Sequence, residues 1–203
     1  MRGTVFVVSG PSGAGKTTIL KEVLGRIPNL EFSISYTTRP KRPNEENGKD
    51  YFFISEEQFK KLINANAFLE WAEVHGYLYG TSKAFVLERI KKGVNLILDI
   101  DVQGALSVMR EMPEVATIFI CPPSFEELKK RLLSRGTETE RDLKRRLEDA
   151  RWEFSHIVDF QYLVVNRNLK ESVKQLEAVI IAEQLRLDRI KDHMGLEEMP
   201  KGV

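Results

Sequence analysis

At residues 4–18 the chain reads TVFVVSGPSGAGKTT, and this stretch decides the fold. Its apolar, β-branched first half predicts a buried strand, and residues 10–17 match the pattern G-x-x-x-x-G-K-[ST] completely. The glycines at positions 10, 13 and 15 permit positive φ and close approach, so successive backbone N–H groups can point into one concavity. The stretch therefore predicts a strand, an anion-binding loop and a helix in succession.

The remaining residue types of the loop suit a nucleoside triphosphate. Lys16 is expected to reach the β- and γ-phosphates, and Thr17 to offer its hydroxyl directly to Mg²⁺. The helix that follows would point its positive end at the same anion. A glycine-rich turn that merely joins a strand to a helix is the structural alternative. The predicted ATP site comprises the whole loop: Gly10, Pro11, Ser12, Gly13, Ala14, Gly15, Lys16, Thr17 and Thr18.

The composition is that of an ordinary globular protein. With 203 residues, of which 42% are apolar and 30% charged, the chain can bury one sizeable core. Lys and Arg number 31 against 30 Asp and Glu, so overall charge gives no indication of a nucleic-acid partner. The lone Cys121 is expected in the core. Neither a signal peptide nor a bilayer-length apolar run is apparent, which predicts a cytoplasmic protein without a membrane partner.

Strands alternate with helices along most of the chain, which predicts an α/β fold with a P-loop-type parallel sheet flanked by helices. Residues 1–36 and 82–203 are assigned to this α/β core, with a helical lid at about 125–150. Residues 37–81 are expected to form a small, mostly β insertion between the two parts of the core, because a Pro-, Asn- and Gly-rich segment is followed by short strand patterns.

The sequence pattern predicts one strand and one helix at two further segments. Residues 30–36 alternate in polarity and predict one strand, and residues 170 to about 191 predict one amphipathic helix. Ligands of open α/β sheets gather beyond the carboxyl ends of the strands, where Gly10, Tyr36 and Asp99 are expected.

Two aspartates follow the apolar run at residues 96–98. Asp99 ends that strand pattern as a Walker B carboxylate does, and it can hold Mg²⁺ through water or contact a second substrate. Asp101 precedes the next predicted helix, so N-capping is its structural alternative.

Arginines cluster at two places in the chain. Arg39 and Arg42 lie in the proline-bearing segment, and four others bracket the polar gap RGTETE at residues 135–140: Arg131, Arg135, Arg145 and Arg146. Single arginines on helices are usually solvated. Near a phosphate site, however, arginines on a hinged segment can neutralise a transferring phosphoryl group and exclude water.

Together these motifs resemble guanylate kinase. They are GPSGAGKTT at 10–18, SYTTRPKRPNEENGKDYFF at 35–53, FLEWAEVHGYLYGTS at 68–82, LILDIDVQG at 96–104, and RGTETE with KRRL at 144–147. They occur in that family's order, cover most of the chain, and include several that other P-loop kinases do not share.

The resemblance implies Mg²⁺-dependent phosphoryl transfer from ATP to GMP or dGMP, giving ADP and GDP. It implies that residues 37–81 are a nucleoside monophosphate-binding insertion on a P-loop kinase core. Guanine would meet Ser35, Glu70, Thr81 and Asp101, and the GMP site would also include Gly80 and Asp99. The GMP phosphate would meet Arg39, Arg42, Tyr51 and Tyr79. Transfer would be assisted by Lys16, Arg42, Arg135 and Arg146, and the ATP side would include Arg131 and Asn166, the latter near adenine.

The chemistry of Glu70 supports this interpretation independently. Guanine presents N1–H and an exocyclic amine side by side, and one carboxylate can accept both. Adenine lacks the N1 proton, and a site built to pair an N–H can reject such an analogue by on the order of 10⁴. The structural alternative for Glu70 is a solvent-facing strand residue. A non-catalytic scaffold module and a kinase for another acceptor, such as a ribose phosphate, are the rival functions.

Overall fold

The computed structural model describes residues 2–74, 76–134 and 140–190, without the side chains of 140–142. The strands are β1 (Val5–Ser9), β2 (Leu30–Phe32), β3 (Tyr36–Thr37), β4 (Phe52–Phe53), β5 (Phe68–Val74), β6 (Tyr77–Ser82), β7 (Asn95–Asp99), β8 (Ala116–Cys121) and β9 (Tyr162–Val165). The helices are α1 (Lys16–Leu24), α2 (Glu56–Asn64), α3 (Lys83–Lys91), α4 (Val102–Glu111), α5 (Phe125–Leu133), α6 (Glu140–Ser155), α7 (Leu169–Gln184) and α8 (Leu187–Ile190), with a 3₁₀ turn at Ile157–Asp159.

Five parallel strands form the main sheet in the order β2-β7-β1-β8-β9. The central strand β1 pairs with β7 through Val7 and Leu98, and with β8 through Val7 and Thr117. All of β1 is buried, as expected for a parallel strand that is covered on both faces. Helices α1 and α7 pack on one face, and α3 and α4 on the other. The predicted α/β fold is confirmed, and Cys121 is buried as expected.

Four short strands form a second sheet in the order β4-β3-β6-β5. β5 and β6 make an antiparallel hairpin, and β3 joins β6 antiparallel and β4 parallel. Helix α2 buries Phe59, whose ring stacks on Phe68 with centroids 4.5 Å apart. Ser55 and Gln58 form a capping box at the start of α2. The division of the chain into a core and an insertion stays a prediction.

The prediction of one strand at residues 30–36 is wrong. β2 pairs with β7 in the main sheet, whereas β3 pairs with β6 in the small sheet. Aromatic packing explains the change of sheet, because Tyr36 stacks on Phe52 at 4.8 Å and meets Phe68 edge-on at 5.8 Å. The alternating segment at residues 30–36 therefore contributes one strand to each of the two sheets.

The predicted helix at residues 170–191 is broken. α7 ends at Gln184 and a separate short helix, α8, follows; residue 191 lies outside the described residues. The buried Glu183 and the Arg189 guanidinium are 2.6 Å apart. Residues six apart lie on different sides of a continuous helix, so this ion pair requires the chain to turn.

The carboxyl ends of β1 and β7 meet at one edge of the main sheet. The P-loop, defined here as residues 10–18, follows β1 and leads into α1, and Asp99 ends β7. Across the described ranges, no helix is long and apolar enough to cross a membrane.

Candidate active site

A cavity of about 600 Å³ opens at this edge. The P-loop forms one wall, the small sheet a second and α6 a third. Most of the predicted site residues line it: Gly10, Pro11, Ser12, Gly13, Gly15, Lys16, Thr17, Thr18, Ser35, Arg42, Tyr51, Glu70, Tyr79, Asp99, Asp101 and Arg146. The predicted residues outside this lining are Ala14, Arg39, Gly80, Thr81, Arg131 and Asn166. Arg135 lies outside the described residues.

The backbone of the P-loop explains its glycines. Gly10 has φ 137°, and a Cβ there would lie 2.0 Å from the Ile120 carbonyl oxygen of β8. Gly13 and Gly15 have φ 89° and 91°, a left-handed conformation that glycine adopts at no steric cost. Gly15 is also the N-cap of α1. The N–H groups of the first turn of α1, which have no partner within the helix, therefore lie at the cavity wall.

Lys16 lies across this loop and donates from Nζ to the Gly10 carbonyl oxygen. The same Nζ is 3.9 Å from Asp99 Oδ1, and the two side chains are 17% and 19% exposed. Burial raises the pKa of the Asp99 carboxyl, and the Lys16 charge opposes that rise. A phosphate that entered the loop could replace both partners of the lysine.

Thr17 and Asp99, the predicted metal residues, line the same cavity. Within the described parts of the chain, no group of three or more His, Cys, Asp or Glu side chains is arranged to hold a metal ion. Mg²⁺ takes few protein ligands and keeps several waters beside the substrate phosphates. One hydroxyl and one carboxylate next to a phosphate-binding loop therefore fit a magnesium ion.

Glu70 lies on β5 with only 5% of its surface exposed, so the solvent-facing alternative is wrong. Its Oε1 accepts a hydrogen bond from the Thr81 hydroxyl at 2.6 Å. Burial raises the pKa of Glu70 to about 7; the Thr81 hydrogen bond opposes the rise and Asp101 adds to it. Asp101 accepts the Gly104 N–H at 3.0 Å, which confirms its role as the N-cap of α4. Both carboxyls also line the cavity, where they can meet the N–H groups of a ligand.

Glu45, which sequence reasoning missed, holds the two arginines of the first cluster. Its Oε1 is 2.7 Å from Arg39 Nη2, and its Oε2 accepts the Arg42 backbone N–H at 2.8 Å. The hydrogen bond from Arg39 lowers the pKa of the Glu45 carboxyl. Arg39 lies over the Tyr51 ring at 5.5 Å, and Tyr51 meets Tyr79 edge-on at 5.9 Å. Burial raises the pKa of Tyr51 to about 12, so its phenol keeps the proton and remains a donor.

Two arginines of the second cluster contact the P-loop region. Arg146 Nη1 donates to the Ser12 hydroxyl at 3.1 Å, which joins α6 to the loop. Arg131 on α5 pairs with Glu127 at 2.9 Å and donates from Nη2 to the Asn166 carbonyl oxygen at 3.1 Å. Arg146 therefore lines the cavity. Arg131 lies outside the lining and contacts Asn166.

Helix α6 adds cavity residues that sequence reasoning missed. Beside Arg145 and Arg146, the lining includes Asp149, Trp152 and Glu153. Spacings of three and four residues put positions 146, 149 and 153 on one helix face, which is the signal that could have found them. Burial raises the pKa of Glu153 to about 7, and the Lys16 charge opposes that rise. The missed residues on other walls are Glu73, Val74, Ile100, Val102 and Gln103.

Asn166 stabilises the P-loop through a side-chain hydrogen bond; this contact is called the brace below. Its Nδ2 donates to the Ala14 carbonyl oxygen at 2.8 Å, and its Oδ1 accepts the Ser172 hydroxyl at 3.2 Å. A Cβ on Gly15 would lie 2.4 Å from the same Nδ2, so the amide occupies the space that a side chain at position 15 would need. The predicted contact of Asn166 with adenine stays a prediction.

A parallel sheet whose first strand leads into a braced glycine loop, with Lys16 at its end and a carboxylate on the neighbouring strand, defines the class of P-loop nucleotide-binding proteins. Residues of the small sheet line the same cavity.

Comparison with known proteins identifies the family. The Guanylate kinase family model matches residues 2–183. The guanylate kinase of Thermotoga maritima is 52% identical over 192 residues, which cover 95% of this chain and 93% of that protein. The guanylate kinase of Caldanaerobacter subterraneus is 47% identical over 191 residues, covering 94% and 93%. The crystal structure of guanylate kinase from Anaplasma phagocytophilum superposes with a TM-score of 0.80 at 35% identity, covering 97% and 93%. The chain belongs to the guanylate kinase family.

Replacing Asn166 by alanine tests the brace. The variant leaves the buried Ala14 carbonyl oxygen without its donor, which is expected to lower the free energy of unfolding by about 1–3 kcal/mol. The loosened loop is expected to weaken ATP affinity roughly tenfold, as measured by calorimetry.

Asn168 provides the matched control, since it caps α7 by accepting the Lys170 and Glu171 N–H groups. Asn168→Ala is expected to cost about 1 kcal/mol of stability without changing ATP affinity. Equal ATP affinity in both variants would contradict the brace.

Glu70→Gln tests the raised pKa of Glu70. Because the folded-state pKa lies near 7 and above the ordinary value of 4.5, this carboxyl favours folding below about pH 4.5 and progressively loses that contribution as pH rises through 7. Glutamine does not ionise, so the variant should be more stable than the wild type by about 1–3 kcal/mol at pH 8 and nearly equal to it at pH 4. Denaturant unfolding at both pH values measures this. A pH-independent difference between Glu70→Gln and the wild type would refute the assignment.

Proposed function

We propose that this chain transfers the γ-phosphoryl group of ATP to GMP or dGMP, giving ADP and GDP. The observation that carries the proposal is the presence of an intact P-loop and a buried Glu70 carboxyl in the lining of one cavity. Membership in the guanylate kinase family supports the same reaction. The P-loop alone would serve many reactions, whereas the second wall selects the acceptor.

The donor nucleotide binds at the P-loop. Backbone N–H groups of the glycine-rich turn and the positive end of α1 hold the β- and γ-phosphates. Lys16 exchanges its contacts with the Gly10 carbonyl and Asp99 for contacts with these phosphates. Since the lysine is already positioned and partly buried, little side-chain ordering is required when ATP binds.

The acceptor binds between the small sheet and α4. The ionised Glu70 carboxylate accepts guanine N1–H and the exocyclic amine, while Thr81 fixes its orientation. Ser35 and Asp101 complete the purine side, and Gly80 and Asp99 belong to the same proposed GMP site. The phosphate of GMP lies toward Arg42, Tyr51 and Tyr79, with Arg39 held behind them by Glu45. An adenine base would leave the buried carboxylate without a partner, which predicts rejection of AMP by on the order of 10⁴.

The transfer step needs positioning and charge rather than a general base. The GMP phosphate is already anionic and can attack the γ-phosphorus directly. Arg42, Arg135 and Arg146, with Lys16, stabilise the charge that spreads over the transferring oxygens. When bound, Mg²⁺ neutralises the phosphate oxygens; Thr17 would hold it directly and Asp99 through water.

Closure of two segments over the core is part of the proposal. The core comprises residues 1–36 and 82–203, the GMP-binding insertion residues 37–81, and the lid residues 125–150. The hydrogen bond from Arg146 to Ser12 supports this arrangement, because it links α6 to the loop that holds ATP. Water excluded by closure cannot hydrolyse the donor. The proposal places the protein in the cytoplasm.

An acceptor panel tests the function. ADP release in the presence of Mg²⁺-ATP should be fastest with GMP or dGMP and slower with AMP, CMP or UMP. With AMP it should be slower by on the order of 10⁴, given the discrimination expected from an unpaired buried carboxylate. Glu70→Gln should reduce the preference for GMP over AMP, and Lys16→Ala serves as the inactive control. Equal turnover of AMP would sink the guanine assignment, and failure to bind Mg²⁺-ATP would favour a non-catalytic scaffold module.

Arg146→Ala tests the assignment of charge stabilisation to α6. If the guanidinium acts mainly in the transition state, kcat should fall by on the order of 10²–10³ while KM for either nucleotide changes little. Arg151→Ala is the matched control, because Arg151 lies on the same helix but packs over the Phe125 ring. A rise in KM at unchanged kcat would assign Arg146 to ground-state binding.

A further inference from the structure

We propose that Gly104 determines acceptor specificity: its missing side chain leaves the space in which the Glu70 carboxylate is held for the purine. This inference rests on the proposed function and extends it to a residue that does not itself touch the nucleotide. Gly104 lies in the first turn of α4, two residues after the start of the helix, and both it and Glu70 are buried.

The contact between the two residues is close and specific. A Cβ built on Gly104 would lie 2.6 Å from Glu70 Oε2 and 3.2 Å from its Cδ. The next neighbour, Ile100 Cβ, is at an ordinary 3.6 Å. Among the residues that the structure describes, the Glu70 carboxyl group is therefore the only obstacle that a Cβ at position 104 meets at closer than ordinary contact.

Neither the backbone nor the helix cap requires glycine at this position. Gly104 has the ordinary helical conformation and is not among the glycines with positive φ. Its N–H donates to Asp101 Oδ1, a bond that an alanine would keep. Glycine is less favourable than alanine inside a helix, because it loses more backbone freedom on folding. Glycine at position 104 thus makes the helix less stable than alanine would. Room for the Glu70 carboxylate is the physical reason that remains for a glycine at this position.

The carboxylate has little freedom to move away. Its Oε1 is fixed by the Thr81 hydroxyl at 2.6 Å, and only 5% of the residue is exposed. To restore an ordinary contact of 3.4 Å, Oε2 would have to move by about 0.8 Å. A shift of that size takes the two oxygens out of line with the guanine N–H donors. Because the obstructed atom ends a side chain, the fold can accommodate the change, and the loss appears in acceptor recognition.

Steady-state kinetics of Gly104→Ala test the inference. We expect KM for GMP to rise about 10- to 100-fold, as for a reacting partner misplaced by about 1 Å. KM for ATP should stay within about twofold, since α4 does not contribute to the P-loop. Gly25→Ala is the matched control: Gly25 ends α1 with φ −74°, and a Cβ there would meet nothing closer than 3.7 Å. It should leave both KM values unchanged.

A double-mutant cycle distinguishes a steric clash between position 104 and the Glu70 carboxylate from a general loss of folding stability. Glu70→Asp shortens the side chain by one methylene and draws the carboxylate back from position 104. Adding Gly104→Ala to Glu70→Asp should therefore raise KM for GMP far less than adding it to the wild type. If Gly104→Ala alone folds poorly, the double variant should recover the melting temperature of Glu70→Asp.

Three outcomes would overturn the inference. They are an unchanged KM for GMP in a folded Gly104→Ala protein, an equal fold-increase in both backgrounds, or, where Gly104→Ala folds poorly, no recovery of melting temperature in the double variant. Failure of the proposed function is distinguishable, because it appears in the wild type as a lack of preference for GMP over AMP. A wild type that prefers GMP, combined with a silent Gly104→Ala, would refute the role of Gly104 alone.

Discussion

The close approach of Gly10 to β8 is the constraint on which the rest of the site depends. A Cβ at position 10 would lie only 2.0 Å from the Ile120 carbonyl oxygen. Only glycine therefore fits at the point where the chain leaves β1. That exit sets where the loop begins, how α1 points and where Lys16 stands relative to Asp99. The buried parallel sheet fixes Ile120 and Asp99 on either side of β1. The phosphate cradle is therefore a consequence of strand packing.

At Glu70, by contrast, burial lowers stability. Glu70 has few polar neighbours, and its raised pKa shows that burial disfavours its charged form. In the proposed complex a guanine edge would supply the N–H donors that the ionised carboxylate lacks, so part of the binding free energy would offset its desolvation. The same burial would make a base without those donors costly to accept. The proposed selectivity and the cost of burying Glu70 thus have one origin.

Sequence reasoning predicted the α/β class and the P-loop because these depend on local patterns: a β-branched run, glycines at set spacings and capping residues. Most cavity residues on the small sheet, such as Tyr51 and Tyr79, were predicted from the resemblance to guanylate kinase and not from local patterns. It failed where tertiary packing decides. The run at residues 30–36 divides between two sheets because Tyr36 packs on Phe52 and Phe68, which no alternation can show. Glu45 and the acidic face of α6 were missed because a charged residue on a loop or helix is usually solvated, and only the fold reveals what it faces.

Glycine illustrates this limit most clearly. A sequence pattern explains a glycine by its backbone freedom, and that explanation suffices for Gly13 with φ 89°. At Gly15 a second reason applies, because the Asn166 amide occupies the place of a side chain, and at Gly104 space is the reason that remains. At Gly15 and Gly104 the absent Cβ makes room for a polar side chain from a neighbouring element, the Asn166 amide in one case and the Glu70 carboxylate in the other. In the proposed function, the donor site and the acceptor site therefore depend on the same structural feature.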